Sequence, residues 1–580
     1  MISFMRISLL AYFLILAACD GENKGTPDVI NQPVDVAGIL QFSDVTQAAG
    51  LAGFDHNAGA VGKLWLPETN GGGVGVLDYD LDGLQDIVLV AGANWENNKT
   101  PALRLFRNSG EKKFAEATLE AGLGRWRGYG QGITVGDYDN DGDPDIFLGN
   151  VGVDQLFRND GGTFTEAAKE AGLASDAGWS TAVIWFDADN DGWLDLYAGN
   201  YVEWSPETDL FCSLDGQTKS YCTPEIYPGV SGRFYHNNGN GTFTDRTEKA
   251  GFANSPGKTL GAAAFDFNRD GWTDIVVAND TEQDELYVNN GDGTFTERGN
   301  LAGIAFDQDG RARAGMGIDV GAVDESGEEW IFVGNFSREM IGVFKHGGNG
   351  KFLEQAASSK IGRPSLLTLT FGLVLFDADL DGDLDLFAAN GHVVKEMDLY
   401  NDGVFYRQPP HLFLNDGNGR FADAAPEMNA LSKPIVGRGA ATIDYDGDGD
   451  LDLVVTESDG PAYLFENNAA NQGRNYVKVT VEGRESNRSG YGVQLTAIVG
   501  KRKMHRVIRS GSSYLSHREA VAVFGLGDET SLTSLTVGWP SGKSQTIDDI
   551  PANSTLDIIE GIKPDPTALG RVPSASGPVE

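Results

Sequence analysis

Six nine-residue stretches follow the pattern D-x-D-x-D-G-x-x-D with at most one ligand position altered. They are DYDLDGLQD at 78–86, DYDNDGDPD at 137–145, DADNDGWLD at 187–195, DFNRDGWTD at 266–274, DADLDGDLD at 377–385 and DYDGDGDLD at 444–452. Positions 1, 3, 5 and 9 supply oxygen donors. The expected metal ligands are therefore Asp78, Asp80, Asp82 and Asp86; Asp137, Asp139, Asp141 and Asp145; Asp187, Asp189, Asp191 and Asp195. The remaining three loops supply Asp266, Asn268, Asp270 and Asp274; Asp377, Asp379, Asp381 and Asp385; Asp444, Asp446, Asp448 and Asp452. Hard oxygens at this spacing, with a main-chain carbonyl at position 7, suit Ca2+, which takes about six to eight oxygens in a flexible shell. Glycine at position 6 permits the sharp turn that aims alternate carboxylates inward. The loops are not EF-hands, because Leu89 or Leu148 stands where a bidentate Glu is required and Pro144 opposes an exiting helix. About six Ca2+ are expected. Their role is structural, since a loop in every repeat is not the mark of one catalytic centre. A seventh stretch, AVDESGEEW at 322–330, offers only Asp324 and Ser326, has Trp330 in place of the last Asp, and is expected to stay empty.

Strands must position these loops. Each loop is followed by a β-branched or aromatic run of strand length: IVLV, IFLG, LYAG, IVVA, IFVG, LFAA and LVVT. Between loops lies a second signature of strand, Asn/Asp-Gly turn and strand, as in LFRNDGGTFTEAA from Leu156 and LYVNNGDGTFTERG from Leu286. Each repeat thus holds about four strands, one propeller blade. The array opens at Phe42 with FSDVTQAAGL, only the second half of a hairpin, and ends at Leu464 with LFENN, only the first half. Joining the two closes a ring and removes its free edges. The fold class predicted is all-β: a seven-bladed β-propeller over 39–470 and a small C-terminal β domain over 471–562. A Pro/Ser/Gly-rich tail over 563–580 is disordered by composition.

Residues 1–18 read as a targeting segment, with Arg6 ahead of the apolar run ISLLAYFLILAA, which is too short to span a bilayer. Leu16-Ala17-Ala18-Cys19 resembles a bacterial lipobox. It implies lipidation of Cys19, a flexible tether over 19–38, and residence at a bacterial cell envelope, periplasmic or surface-exposed. Cys212 and Cys222 then remain as an even pair. Outside the cytoplasm they read as a disulfide, since no nearby Cys/His set completes a zinc site.

The formal net charge of −40, from 84 acidic against 44 basic residues, excludes nucleic acid as a partner and leaves the lipid as the sole membrane attachment. The C-terminal domain inverts that charge. Between Arg474 and Arg518 it carries ten Lys/Arg against Glu482 and Glu485. Such a face either docks onto the acidic propeller, stays solvated, or binds an anionic glycan or lipid head group.

The Asp loops resemble the FG-GAP/VCBS repeats of integrin-type propellers. The stretch GFDHNAGAVGKLWLPETNGGGVGVLDYD from Gly53, the Cys-Thr-Pro-Glu after Tyr221 and Ala389-Asn390-Gly391-His392-Val393 resemble the cartilage-acidic-protein-like family. SNRSGYGVQLTAIVG from Ser486, RVIRSGSSYLS from Arg506, FGLGD from Phe524 and VGWPSGK from Val537 resemble an ASPIC/UnbV domain. The resemblance implies an exported calcium propeller that acts in binding or as a matrix protein. The leading expectation is a binding, adhesion or scaffold protein with an unknown protein or glycan ligand. Candidate contact residues are His56 and Glu68 with Trp65, Trp126 with Arg127, Trp204 with Tyr201, and His392. The alternative is an envelope lyase or hydrolase at the channel mouth, with Glu68 and His56 or His392 as an acid/base pair. No GxSxG, HExxH, P-loop or dinucleotide fingerprint supports a reaction class, and no catalytic residue is assigned.

Overall fold

A computed structural model describes residues 40–562 apart from 60–61, 96–98, 175–177, 214–215 and 400–402. The targeting segment, Cys19, the tether and the tail over 563–580 lie outside the described residues. All described residues belong to one unit, Val36–Glu580.

The propeller repeat folds as four antiparallel strands per blade. Blade 1 is Val74–Leu77, Asp86–Val90, Leu103–Asn108 and Phe114–Glu116. Blade 2 begins with Tyr129–Gly136, blade 3 with Gly178–Phe186, blade 4 with Thr259–Phe265, blade 5 with Gly315–Gly321 and blade 6 with Thr370–Phe376. Blade 7 holds Gly437–Ile443, Asp452–Glu457 and Ala462–Asn467, and its fourth strand is Phe42–Asp44 from the start of the chain. The register Phe42↔Asn467 and Asp44↔Phe465 joins the two half-hairpins as the sequence predicts. Blades 2 and 3 are further stitched by Trp179↔Val151.

The first strand of each blade is innermost, and each packs against the next in cyclic order, with Val74–Leu77 against Gly437–Ile443 completing the circuit. Glycine makes this approach possible. One innermost position recurs as Gly73, Gly132, Gly261, Gly317, Gly372 and Gly439, with Ala182 as the exception in blade 3. A Cβ added at Gly132 would lie 1.8 Å from the Thr181 carbonyl oxygen of the next blade, and one at Gly439 would lie 2.4 Å from that of Gly72.

The C-terminal domain packs a three-stranded sheet against a four-stranded one. Asn475–Glu482 sits centrally in the first sheet, antiparallel to Ala522–Gly527 and parallel to Ser554–Ile559. The second sheet contains Ser544–Pro551, a strand that sequence reading missed. SQTIDDIP is mostly polar, and only Ile547 and Ile550 of its apolar residues reach the core. Arg502–Val507 is an edge strand of the second sheet, paired with Gln494–Val499.

The residues after Val507 leave the domain and fill the propeller's channel. Ser510 Oγ meets Thr134 Oγ1 at 2.8 Å and accepts from Trp185 N at 3.1 Å. Ser513 exchanges main-chain hydrogen bonds with Ile318, and its hydroxyl accepts from Leu373 N. Leu515 O accepts from Ile133 N, Ser516 Oγ from Val74 N, and Glu519 N donates to Thr442 O. Innermost strands expose an unpaired edge to the channel, and a buried N–H without a partner is costly. The serine-rich segment 510–519 supplies acceptors for these N–H groups in blades 1, 2, 3, 5 and 6, and a donor to the Thr442 carbonyl in blade 7.

Candidate functional site

Each Asp loop joins the first and second strands of its blade, so all loops share one face of the ring. Position 1 folds the loop on itself: in blade 2, Asp137 accepts from the main-chain N–H groups of Asp141 at 3.1 Å and Gly142 at 2.9 Å. Position 9 does more than offer a ligand. Asp86 accepts from Tyr79 N at 3.1 Å and from Asn108 N at 2.7 Å, and Asp145, Asp195, Asp274, Asp385 and Asp452 repeat the pattern. The asparagine so held reaches the preceding blade. Asn108 Nδ2 donates to Tyr445 O at 2.8 Å, Asn159 to Tyr79 O at 2.8 Å and Asn237 to Tyr138 O at 2.8 Å. Asn289, Asn415 and Asn467 continue the series. This Asp–Asn relay ties the loops of blades 1, 2, 3, 4, 6 and 7 to the blade before each. The Asn that recurs before the hairpin turn in six of the seven repeats was its only signal in the sequence.

Close carboxylate sets with oxygens within 4.8 Å of one another form in blades 1, 2, 3 and 6: Asp78, Asp80 and Asp86; Asp137, Asp139 and Asp145; Asp187, Asp189 and Asp191; Asp377, Asp379 and Asp385. The buried oxygens Asp80 Oδ1, Asp139 Oδ1 and Asp189 Oδ1, all at position 3, have no hydrogen-bond partner. Burial, reinforced by neighbouring carboxylates, pushes Asp137 up to about 7 and Asp187 up to about 8. Such loops fit a hard divalent cation, which would hold these carboxylates ionised and fill the orphan oxygens. Asp195 and Asp189 also face His236, whose Nδ1 lies 3.0 and 3.7 Å from them.

Blade 5 departs from this plan. Asp324 Oδ2 pairs with Lys345 Nζ at 2.7 Å, and that ammonium lies 4.9 Å from the Trp330 ring centroid. A side-chain cation already matches the remaining acid at a ligand position. His346 replaces the relay asparagine and sets its ring 5.7 Å from Phe267 of blade 4, an aromatic contact in place of a polar one.

The C-terminal domain covers the Asp-loop face. Lys478 bridges Asp444 at 2.9 Å and Glu519 at 2.8 Å. Arg506 approaches Asp377 at 3.7 Å and Arg488 approaches Asp137 at 3.8 Å. Arg518 pairs with Asp319 at 2.9 Å, Arg509 with Glu329, and Arg502 donates to Asp381 O. These basic residues are engaged in docking onto the acidic propeller, one of the roles the sequence allowed.

The opposite mouth gathers aromatic side chains. Trp65, Trp95 and Trp204 meet edge-on with centroids 5.4–5.9 Å apart, and Trp95 stacks on Tyr129 at 4.3 Å. Among the predicted contact residues, His56, Glu68 and Trp204 gather at this end of the channel, where all three are buried. Glu68 Oε2 accepts from Tyr221 OH at 3.1 Å, and burial raises its carboxyl above the usual range. His56 Nδ1 accepts from Asp459 N at 3.3 Å. No hydrogen bond joins His56 to Glu68, so the acid/base pair is not assembled among the described residues. His392 is buried; its Nδ1 accepts from Val394 N and its ring lies 5.1 Å from Phe336, so it orders its loop. Tyr201 is buried with its hydroxyl on Asp280. Trp126 lies away from the mouth, in the seam between blades 1 and 2, edge-on to Phe157 at 6.2 Å, and Arg127 donates to nearby carbonyls.

Cys212 and Cys222 form a disulfide, with Cα atoms 5.1 Å apart. It closes a short loop that carries Tyr221 to the mouth, so its effect is local. Reducing it, or replacing both cysteines by serine, is expected to move the melting temperature by no more than about 2 °C. Tryptic cleavage after Lys219 is expected to accelerate several-fold. Limited proteolysis followed by mass spectrometry checks this, and a global collapse of stability would contradict it.

The FG-GAP-like repeat model matches residues 78–148, 137–198, 208–277, 266–333 and 397–455. The chain belongs to the FG-GAP-like repeat family. Residues 483–565 match the ASPIC and UnbV model, which places that domain on the part that docks over the Asp loops of the FG-GAP-like repeats. The chain is similar to cartilage acidic protein 1 of Xenopus tropicalis, 29% identical over 300 residues, which are 49% of this chain and 42% of the relative. It is also similar to the Homo sapiens protein of that name, 29% identical over 299 residues, 50% of this chain and 42% of the relative. The matches thus span less than half the length of these relatives. Among solved structures, a lectin of Agrocybe aegerita described as recognising non-reducing terminal N-acetylglucosamine is 15% identical with a TM-score of 0.39, covering 79% of this chain and 100% of its own. PorZ, a surface component of the type-IX secretion system of Porphyromonas gingivalis, is 13% identical with a TM-score of 0.39, covering 82% of this chain and 58% of its own. Likenesses that slight carry no argument.

Proposed function

We propose that this chain is an exported, lipid-anchored, calcium-holding propeller at a bacterial cell envelope that binds a glycan or protein ligand at the mouth opposite its Asp loops. One observation carries the choice of face. The Asp-loop side is covered by the C-terminal domain and the channel is filled from that side by residues 510–519, which leads us to assign the partner to the far mouth. Concave aromatic surfaces with a few buried polar groups suit ligand binding, and rigid propellers present loops as platforms. The repeats and the ASPIC and UnbV domain support a binding or adhesion role. Cations in the loops would fix the scaffold rather than meet the ligand.

The test is glycan-array and envelope pull-down with calcium-loaded protein lacking the anchor. Trp95→Ala and Trp204→Ala, at the mouth, are expected to weaken a retained ligand at least tenfold, about 1.4 kcal/mol or more each. Trp126→Ala, in the blade seam, is expected to leave affinity unchanged. Equal losses at all three positions, or none at the mouth, would move the site elsewhere.

A further inference from the structure

The channel mouth holds a buried guanidinium with no carboxylate to neutralise it. Arg438, on the innermost strand of blade 7, is 1% exposed. Its Nε donates to Thr69 O at 3.0 Å, and its Nη1 donates to Gly391 O at 3.2 Å and Gly437 O at 2.8 Å. The guanidinium carbon lies 4.0 Å from the Phe371 ring centroid. These partners are carbonyls and a ring face, and no described residue forms an ion pair with it. Glu457, whose charge acts on Arg438, is committed to Arg407 through contacts of 2.5 and 3.0 Å. Glu68, next to Thr69 in the chain, turns its Oε2 instead to Tyr221, and its Oε1 has no partner.

Two more donors at the same place lack acceptors. His56 is 2% exposed; its Nδ1 accepts from Asp459 N, so Nε2 carries the proton, and Nε2 has no partner. Asn70 is 4% exposed; its Oδ1 accepts from Tyr514 OH at 3.3 Å, and its Nδ2 has no partner. The three groups surround one short stretch. Arg438 holds Thr69, Asn70 follows, and a Cβ added at Gly71 would lie 3.2 Å from both His56 Nε2 and Gln131 Nε2.

A buried charge without a counter-charge is costly, and so is a buried donor without an acceptor. Here every deficit among these three groups has one sign: one positive charge and two unfilled donors. We infer that Arg438, His56 and Asn70 form a subsite for a single carboxylate at the channel mouth. The carboxylate is either that of a free small organic acid or that of an acidic sugar at the end of a glycan. Trp65, Trp95 and Trp204 cluster at the same mouth, with Trp65 and Trp204 buried in the aromatic packing beneath it. The inference rests on the mouth being the ligand face and adds the chemistry that face selects.

The experiment follows thermal unfolding of the calcium-loaded protein in increasing acetate, D-glucuronate or D-glucose, at ionic strength held constant with a bulky organic sulfonate. Asn70→Asp is the informative variant. It keeps the oxygen that accepts from Tyr514 and puts a built-in carboxylate where the unfilled amide points. The wild type is expected to show a saturable rise in melting temperature with acetate or glucuronate and none with glucose. Asn70→Asp is expected to melt higher than the anion-free wild type and to ignore both acids. A response to acetate identifies a free acid as sufficient. A response confined to glucuronate identifies the sugar acid. No response in the wild type, or an unchanged response in Asn70→Asp, overturns the subsite. A neutral glycan that binds at the mouth while acids have no effect overturns the subsite and leaves the mouth as the ligand face.

Discussion

Chelation with EDTA is expected to lower the melting temperature of this protein strongly, and Ca2+ but not Mg2+ is expected to restore it. About six loops carry the ligand set. A ligand that binds only the folded state adds roughly 2.7 kcal/mol per site at a hundredfold excess over its dissociation constant. Total stabilities are typically about 5–15 kcal/mol, so several empty sites are a large fraction of what holds a domain together. Without cations, acids such as Asp86 and Asp145 stay buried beside other carboxylates, a costly arrangement. Mg2+ demands a tight octahedral shell at shorter distances, whereas the proposed Ca2+ tolerates a larger, more flexible oxygen shell. Asp137→Ala removes a ligand position and the anchor for two main-chain N–H groups, and is expected to cost about 2–3 kcal/mol. Asp324→Ala breaks only a partly exposed pair with Lys345 and is expected to cost under about 1 kcal/mol. Calorimetry with elemental analysis reads both. A melting curve unmoved by EDTA, with no calcium in the protein, removes the cation from the account.

Gly132→Ala is expected to prevent folding or to cost more than about 4 kcal/mol, the range reserved for severe steric conflict. The added methyl would lie 1.8 Å from a main-chain carbonyl of blade 3, and neither side can yield without displacing an innermost strand. Gly241→Ala is the control. Gly241 sits at φ +77° in a hairpin turn with no atom within 4 Å of the new Cβ, so the cost is backbone strain alone, about 1–2 kcal/mol. Urea titration of both variants separates a lost ring contact from ordinary left-handed strain. Equal midpoints for the two would mean that the close approach between blades does not limit the structure.

The amino-acid sequence by itself determined the blade. The D-x-D-x-D-G-x-x-D spacing, the strand after it and the hairpin before the next are local patterns, readable because a turn or a strand is decided by neighbours a few residues away. It also determined the joining of Phe42–Asp44 to Ala462–Asn467, because two half-repeats at opposite ends leave one way to remove both edges. It showed that blade 5 is unlike the rest, since Trp330 cannot be a ligand. Only the tertiary structure decided the remainder. The position-9 aspartates double as holders of Asn108 and its counterparts, whose bonds cross to the preceding blade and, in Asn108 to Tyr445, span 337 residues. Residues 510–519 carried part of the ASPIC/UnbV resemblance, but their place in the channel was decided only when the innermost strands presented unpaired N–H groups to them. The ten basic residues of the C-terminal domain had three possible destinations, and in the docked geometry six of them, Lys478, Arg488, Arg502, Arg506, Arg509 and Arg518, meet the acidic propeller. His56, Glu68 and Trp204 came together at one mouth while Trp126 did not, although all four looked alike as isolated polar or aromatic residues. The physical reason is common to each case. Whether a buried donor or charge finds its partner depends on groups hundreds of residues away, and sequence spacing carries no record of which groups the closed ring brings within about 3 Å.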